Sequence, residues 1–252
     1  MKPPIYIASC SFGKDSIATI LLALEHGEPL DRVVFAEVMF DHSRGISGEI
    51  PEHIEWVYST AIPKLEAMGV KVDVVRAERD YVYFFANAVG GGRYQGKIYG
   101  FPLAGMCNIN RDCKLKPIRR YLKQFENVIQ YIGIAKDEPN RLGRLDGVKK
   151  ISLLDKYNYT EAMARQKAEE YGLLSPIYTT GSRNGCWFCP NCSIRQFGRF
   201  RQAHPDLWAE LVTLSHTPNL CSYGFKYGKT VQEVERLIDW NDRQLKLFDL
   251  WK

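Results

Sequence analysis

The chain has 252 residues, 45% hydrophobic and 25% charged, with 34 Lys plus Arg against 29 Asp plus Glu, a formal charge of +5. A chain this long buries roughly three quarters of its unfolded surface, so its core needs no disulfides, and it fits one large domain with or without a small module. The 12% aromatic content excludes a disordered chain. The longest mostly apolar run, Ile17 to Leu24, is far short of the ~20 residues of a membrane span. Lys14 and Asp15 come too early for a signal peptide, so a cytoplasmic protein is expected. The mild basic excess permits a phosphate-rich partner, nucleic acid (tRNA or DNA) included, without demanding one.

Along the chain, strand-like and helix-like segments alternate. Ile5 to Cys10 is a short β-prone run, followed by a turn and a helix from Ser16 to His26. Arg32 to Phe40 forms a buried strand ending at Asp41, and Pro51 to Met68 has helical spacing with Gly69 as its stop. Lys71 to Val75, Val128 to Ile134 and Ile151 to Leu154 complete the strands. Asn158 with Glu161, Pro205, and Thr230 with Glu233 mark the starts of later helices. This order predicts an α/β fold with a mostly parallel, Rossmann-like sheet over residues 1–180. A mostly helical, cysteine-bearing module follows over 181–252. It opens in a stretch, Tyr171 to Pro205, that holds no carboxylate but includes Arg183, Arg195, Arg199 and Arg201. Ligands of such sheets sit beyond the carboxyl ends of the strands, so the turns at Ser11, Asp41 and Ala135 should converge.

The turn Ser11-Phe-Gly-Lys-Asp-Ser16 follows a strand and opens a helix. A helix N-terminus offers unpaired N–H groups and a positive dipole end to an anion. The Ser11 and Ser16 hydroxyls and Lys14 suit phosphate, and Asp15 fits if a Mg²⁺ ion lies between it and the phosphates. Gly91 to Lys97 matches most of a Walker A spacing, but Ile98 replaces the Ser or Thr and no helix pattern follows, so it is set aside.

Seven cysteines in a chain read as cytoplasmic point to metal or redox chemistry. Cys186, Cys189 and Cys192 have the spacing of a ferredoxin-type ligand run, with Cys107 and Cys113 as candidates for a fourth position. Spacing alone leaves a structural zinc and an iron–sulfur cluster both open. Trp187 inside the run would shield the centre from water. Two further segments are weighed: the basic stretch Arg111, Lys114, Lys116, Arg119, Arg120 and Lys123 as a phosphate surface or a solvated helix face, and Phe197 to Arg201 as a nucleic-acid stripe or core packing.

The Ser11–Ser16 turn resembles the PP-loop signature Ser-x-Gly-x-Asp-Ser of the ATP pyrophosphatases and of the related sulfonucleotide (APS and PAPS) reductases, with Phe12 where Gly is usual. Ile132 to Arg141, Cys113 to Ile118 and Gly185 to Pro190 are similar to segments of the PAPS-reductase-like proteins. The resemblance implies binding of ATP with Mg²⁺ by Ser11, Gly13, Lys14, Asp15, Ser16, Asp41, Glu138 and Arg141, with Lys14 and Asp15 catalytic. It also implies a [4Fe–4S] cluster on four of Cys107, Cys113, Cys186, Cys189 and Cys192, with zinc the alternative. The activity it implies is adenylation of an acceptor with release of pyrophosphate, for sulfur transfer from a sulfur or electron donor. Sulfonucleotide reduction is the alternative activity, and a non-catalytic nucleotide-binding module with structural zinc is a third reading. Reductases carry a C-terminal Glu-Cys-Gly-Leu-His segment and lose the loop Asp, whereas here Asp15 is present and Cys221 lies in Leu-Cys-Ser-Tyr-Gly.

Overall fold

A computed structural model describes residues 3–102, 107–179 and 185–249, those from 245 onward as backbone alone. Arg183 and the expected domain boundary at 180/181 lie outside the described residues. The strands in chain order are β1 (Ile5–Cys10), β2 (Arg32–Glu37), β3 (Met39–Asp41), β4 (Ile46–Ser47), β5 (Val72–Arg76), β6 (Ile98–Gly100), β7 (Val128–Ile132), β8 (Lys150–Ile151) and β9 (Leu220–Ser222). The chain divides into two compact units, one of Met1–Val38, Glu49–Ala77 and Asp112–Asn184, the other of Met39–Gly48, Glu78–Arg111 and Gly185–Lys252. The cysteine-bearing module is therefore larger than the sequence suggests. Residues 39–48 and 78–111 join it because β6 pairs with β9, and because Phe40 and Tyr81 pack their rings on Phe188.

The first unit is built on a five-stranded sheet in the order β5-β2-β1-β7-β8, with every pairing parallel. From β1 the chain runs outward through β2 to β5 on one side, then returns to β7 and β8 on the other. The strand order thus reverses between β1 and β7, the point at which open parallel sheets hold their ligands. Helix α1 (Lys14–Glu25) follows β1, and all its residues from Ser16 to Ala23 are buried. A helix apolar on nearly every side belongs in a core, and α1 lies against β1 and the helix Glu161–Glu170.

Local chemistry explains where the elements depart from the sequence expectation. The run Arg32–Phe40 is two strands, because Val38 leaves the parallel sheet and Met39–Asp41 pairs antiparallel with β4 in the other unit. Glu37 marks the break: buried at the end of β2, it takes Arg76 at 2.6 Å and the Tyr58 hydroxyl at 2.6 Å. The Pro51–Met68 segment is helical but contains a π-turn, Val57–Ala61. Pro63 follows that turn and has no N–H to return to Ser59, so the regular ladder cannot continue through it. Ile151 ends β8, after which Ser152 caps a short helix, Leu153–Lys156. Thr160 rather than Asn158 caps the next helix, which leaves Glu161 as its first residue. Thr230 and Glu233 form the expected reciprocal cap.

One glycine sets how closely two elements meet. Gly133 follows β7, and a Cβ built there would lie 2.8 Å from Asp15 C and Ser16 N, both backbone atoms of the turn into α1. Gly133→Ala is therefore expected to displace the start of α1 and lower stability by about 1–3 kcal/mol. Urea unfolding of the variant checks this, and an unchanged midpoint would show that the turn yields freely.

Candidate active site and cysteine cluster

Between β1 and α1 the backbone makes an unusual bend. Phe12 has φ 55, in the left-handed region that glycine favours. For an L-residue this costs about 1–2 kcal/mol. The ring is fully buried and stands edge-on to Phe35 at 5.1 Å, a burial worth roughly 1.5–3 kcal/mol. Burial thus offsets the strain, which is how Phe serves at a position where the resembling loops carry Gly. Cys10 completes the bend: its sulfur accepts the Phe12 N–H at 3.2 Å and its thiol donates to Ser16 Oγ at 3.4 Å. Burial pushes that thiol up to about 11, so it stays protonated and able to donate at neutral pH.

The Ser16 hydroxyl, expected at the phosphate site, is bonded within the turn. It donates to the Gly13 carbonyl at 2.9 Å and accepts the Ser11 N–H at 3.3 Å. His53 braces the same turn from the helix Pro51–Trp56. Its Nε2 lies 3.1 Å from the Ser11 carbonyl and its Nδ1 2.8 Å from Ser175 Oγ. A carbonyl only accepts, so Nε2 carries the proton and Nδ1 accepts from Ser175.

Lys14, Asp15, Glu138 and Glu161 form the charged centre of this unit. Lys14 Nζ donates to Asp15 at 2.7 Å and to Glu161 at 3.0 Å. Carboxylate oxygens of Asp15, Glu138 and Glu161 lie within 4.8 Å of one another. Burial raises the Asp15 carboxyl above the usual range; Lys14 opposes the rise, and Glu161 and Glu138 add to it. Burial works against the Lys14 ammonium, but Asp15 and then Glu161 outweigh it, and the net shift is upward. Arg141 pairs with Glu138 at 2.6 Å, and the Ala135 N–H reaches Glu138 at 3.3 Å. The turns after β1 and β7 therefore converge as expected. Three carboxylates against Lys14 and Arg141 leave a net negative cluster, whose oxygens suit a hard divalent cation. The backbone N–H of Lys14, at the start of α1, points to the Tyr178 hydroxyl at 3.1 Å.

Asp41 lies in the other unit, at the end of β3, and its oxygens serve its own turn. They accept from Ser43 N and Oγ at 2.9 and 2.6 Å and from Arg44 Nε at 2.7 Å. Those bonds, the Ser43 hydroxyl foremost and then Arg44 against an opposing effect of burial, hold its carboxyl down at about 2. Arg44 continues to Glu210 with two contacts of 2.7 Å.

The second unit also gathers the cysteines. The Cys192 thiol donates a hydrogen bond to Cys189 and feels the charge of Cys186. The Tyr81 phenol is pushed up by its burial first and then by Cys107, Cys186 and Cys189. Cys113 is buried in the first unit, within the π-turn Asn110–Leu115. Trp187 is buried as expected, its Nε1 donating to the Ser47 carbonyl at 3.0 Å and its ring stacked on Phe200 at 5.3 Å. Lys226 clamps the run, donating to the carbonyls of Pro190 at 2.7 Å and Cys192 at 2.6 Å. Phe197 is core, packed on Phe225 and Trp208, and Phe200, partly exposed, stacks on Trp187. In the basic segment, Lys114 pairs with Glu49 and Lys116 with Asp112. After Gly96 comes the strand β6, not the helix a Walker loop requires.

Sequence reasoning missed Glu161, His53, Tyr178, Lys226 and Tyr81 as contributors. Each lies far along the chain from the group it touches, and none carries a local motif. Glu161 gave the nearest signal, a carboxylate in the first turn of a helix.

A parallel α/β unit with a Ser-x-Gly-x-Asp-Ser turn at its strand reversal resembles the PP-loop proteins. No protein-family profile matches the chain, and no curated protein sequence matches it. Among solved structures it is similar to a phosphoadenylyl-sulfate (PAPS) reductase from Candida auris in a phosphate complex. That match has 13% identity and a TM-score of 0.47, and covers 75% of this chain and 84% of the other. It is also similar to the U34-tRNA thiolase NcsA from Methanococcus maripaludis with its [4Fe-4S] cluster, at 15% identity and a TM-score of 0.38, over 94% and 82% of the two chains. Among the described residues no helix is long and apolar enough to cross a membrane.

The bracing histidine gives the site a pH signature. Burial pushes His53 below the ordinary value of 6.5, with Glu49 and the Ser11 carbonyl pulling it back up and Lys114 pushing it further down. The unfolded chain then binds the extra proton, so the His53 contribution is full above about pH 6.5 and lost as pH falls through the depressed folded value. Thermal unfolding from pH 7.5 to 5.5 should decline more steeply for the wild type than for His53→Gln. Parallel curves would show that His53 does not titrate in this way.

Proposed function

We propose that this chain is an ATP pyrophosphatase-type enzyme that binds Mg·ATP at the Ser11–Ser16 turn and transfers AMP to an acceptor for sulfur transfer. The observation that carries this reading is the Lys14, Asp15, Glu138 and Glu161 cluster at the start of α1, set at the strand reversal. A carboxylate cluster repels phosphates on its own, so an anionic nucleotide requires a bridging cation there. Asp15, Glu138 and Glu161 would hold Mg²⁺, while Lys14 and the N–H groups at the start of α1 bind the phosphates. An acceptor oxygen attacks the α-phosphorus, the bond to the bridging oxygen breaks, and pyrophosphate leaves with its charge balanced by Lys14. A nucleophilic, sulfide-level sulfur from the sulfur donor then forms a bond to the activated acceptor atom. As it does so, that atom's bond to the AMP oxygen breaks and AMP leaves with the electron pair. The acceptor is a tRNA base, a DNA phosphate or a small metabolite.

The run Cys186, Cys189 and Cys192 shares the second unit with Cys107 and with the buried Tyr81 hydroxyl, unpartnered among the described residues. Such a set of soft thiol donors suits an iron–sulfur or zinc centre. Cys107, Cys186, Cys189 and Cys192 would hold a [4Fe–4S] cluster, with Cys113 the cysteine left over. A cluster, when bound, supplies a site for handling sulfur or electrons.

Two measurements test these assignments. Wild-type protein with Mg·ATP and acceptor should form AMP, and Asp15→Ala should lower that rate at least a hundredfold with an unchanged circular-dichroism spectrum. Equal turnover would overturn the loop assignment. In protein purified without oxygen, iron with matching sulfide is expected and should be lost in Cys107→Ser but kept in Cys113→Ser. The reverse pattern would make Cys113 the ligand, and stoichiometric zinc without sulfide would make the centre structural.

A further inference from the structure

Tyr81 has a hydroxyl that the rest of the fold leaves unused. It is the first residue of the helix Tyr81–Ala86, capped by Asp80, whose carboxylate accepts the Tyr83 N–H at 2.7 Å and the His42 N–H at 2.7 Å. The ring is 1% exposed, held between Phe40 at 5.2 Å and Phe188 at 4.1 Å, and Phe188 lies inside the cysteine run. Packing accounts for the ring. It does not account for the oxygen, which is buried without a hydrogen-bond partner among the described residues. The ionisable groups whose charge would be felt at that oxygen include the Cys107, Cys186 and Cys189 thiols.

A phenylalanine would pack as well and would spare the burial of an unpaired hydroxyl, so the oxygen needs an acceptor. Neutral thiols are poor acceptors, whereas sulfur carrying negative charge in a metal centre accepts an O–H strongly. We propose that Tyr81 is a positioning residue that donates a hydrogen bond to sulfur of the metal centre held by Cys107, Cys186, Cys189 and Cys192. This rests on the reading of those four cysteines as ligands. The O–H stabilises the electron-rich state of the centre and ties one of its sulfurs to the Phe40–Phe188 packing, so it makes reduction easier and metal loss slower.

The test compares wild-type protein with Tyr81→Phe, which keeps the ring and removes only the oxygen. Both are purified without oxygen, and iron, sulfide and zinc are measured before anything else. With a cluster bound, the variant should show a more negative midpoint potential in a titration followed by electron paramagnetic resonance. It should also release iron to a chelator several-fold faster and unfold at a lower temperature while loaded. An equal potential and equal release rate, or a loaded variant that is more stable than wild type, would overturn the proposal. If the wild type holds zinc, release to a chelating dye is the readout, with faster release in the variant supporting the proposal and equal release overturning it. Wild-type protein with neither metal would remove the cysteine reading and the proposal together, whereas equal behaviour of two loaded proteins removes the proposal alone.

Discussion

The charged site of the first unit depends on a close approach of two backbones. The chain leaving β7 touches the turn that starts α1, and only the missing Cβ of Gly133 makes room. That approach brings the loop carrying Glu138 and Arg141 to Asp15, with no side chain spacing them apart. The parallel sheet enforces it: β1 and β7 are neighbours with Ser9 opposite Ile132, so the segments leaving both strands begin side by side. Because the strand order reverses there, no crossover helix fills the gap between them.

Given that frame, the turn is held by groups whose polar atoms are committed inward. Ser16, Cys10 and His53 all bond the turn rather than face outward, and the Phe12 ring anchors its left-handed residue. Lys14, Asp15 and the distant Glu161 remain as the chemically available charges. A scaffold of buried partners fixes the backbone, and a small set of partly exposed ions faces the space beyond the strands. In this division Ser16 of the motif contributes to holding the turn's own backbone.

The strands and the loop were legible in the sequence because both are local. β1 has the expected limits, and α1 starts two residues earlier and ends one residue sooner than expected. Legibility failed where a side chain's partner lies far away in the chain. The apolar run from Arg32 to Asp41 looks like one strand, and only the three-dimensional pairing divides it at Val38 between two sheets. Glu161 looks like a capping residue, because its bond to Lys14 spans 147 positions. The cysteine spacing pointed to Cys186, Cys189 and Cys192 as a run, whereas Cys107 and Cys113, six positions apart, fall in different compact units that spacing does not reveal. The hydrogen bonds of Asp41 are local, made within three positions, which is why its turn was visible in the sequence.

The interleaving of the second unit has a consequence for the newly made chain. Ile98 of β6 pairs with Leu220 of β9, so that pairing waits until 122 further residues (220 − 98) have been added. At about 5–20 residues per second this is roughly 6–24 s of synthesis. The sheet of the first unit is complete at Ile151, well before then. The aromatic side chains of Phe40 and Tyr81 leave the ribosome early, yet must stay without their Phe188 partner through much of translation. Truncation before residue 185 would leave those rings permanently uncovered, a surface that invites aggregation and capture by chaperones.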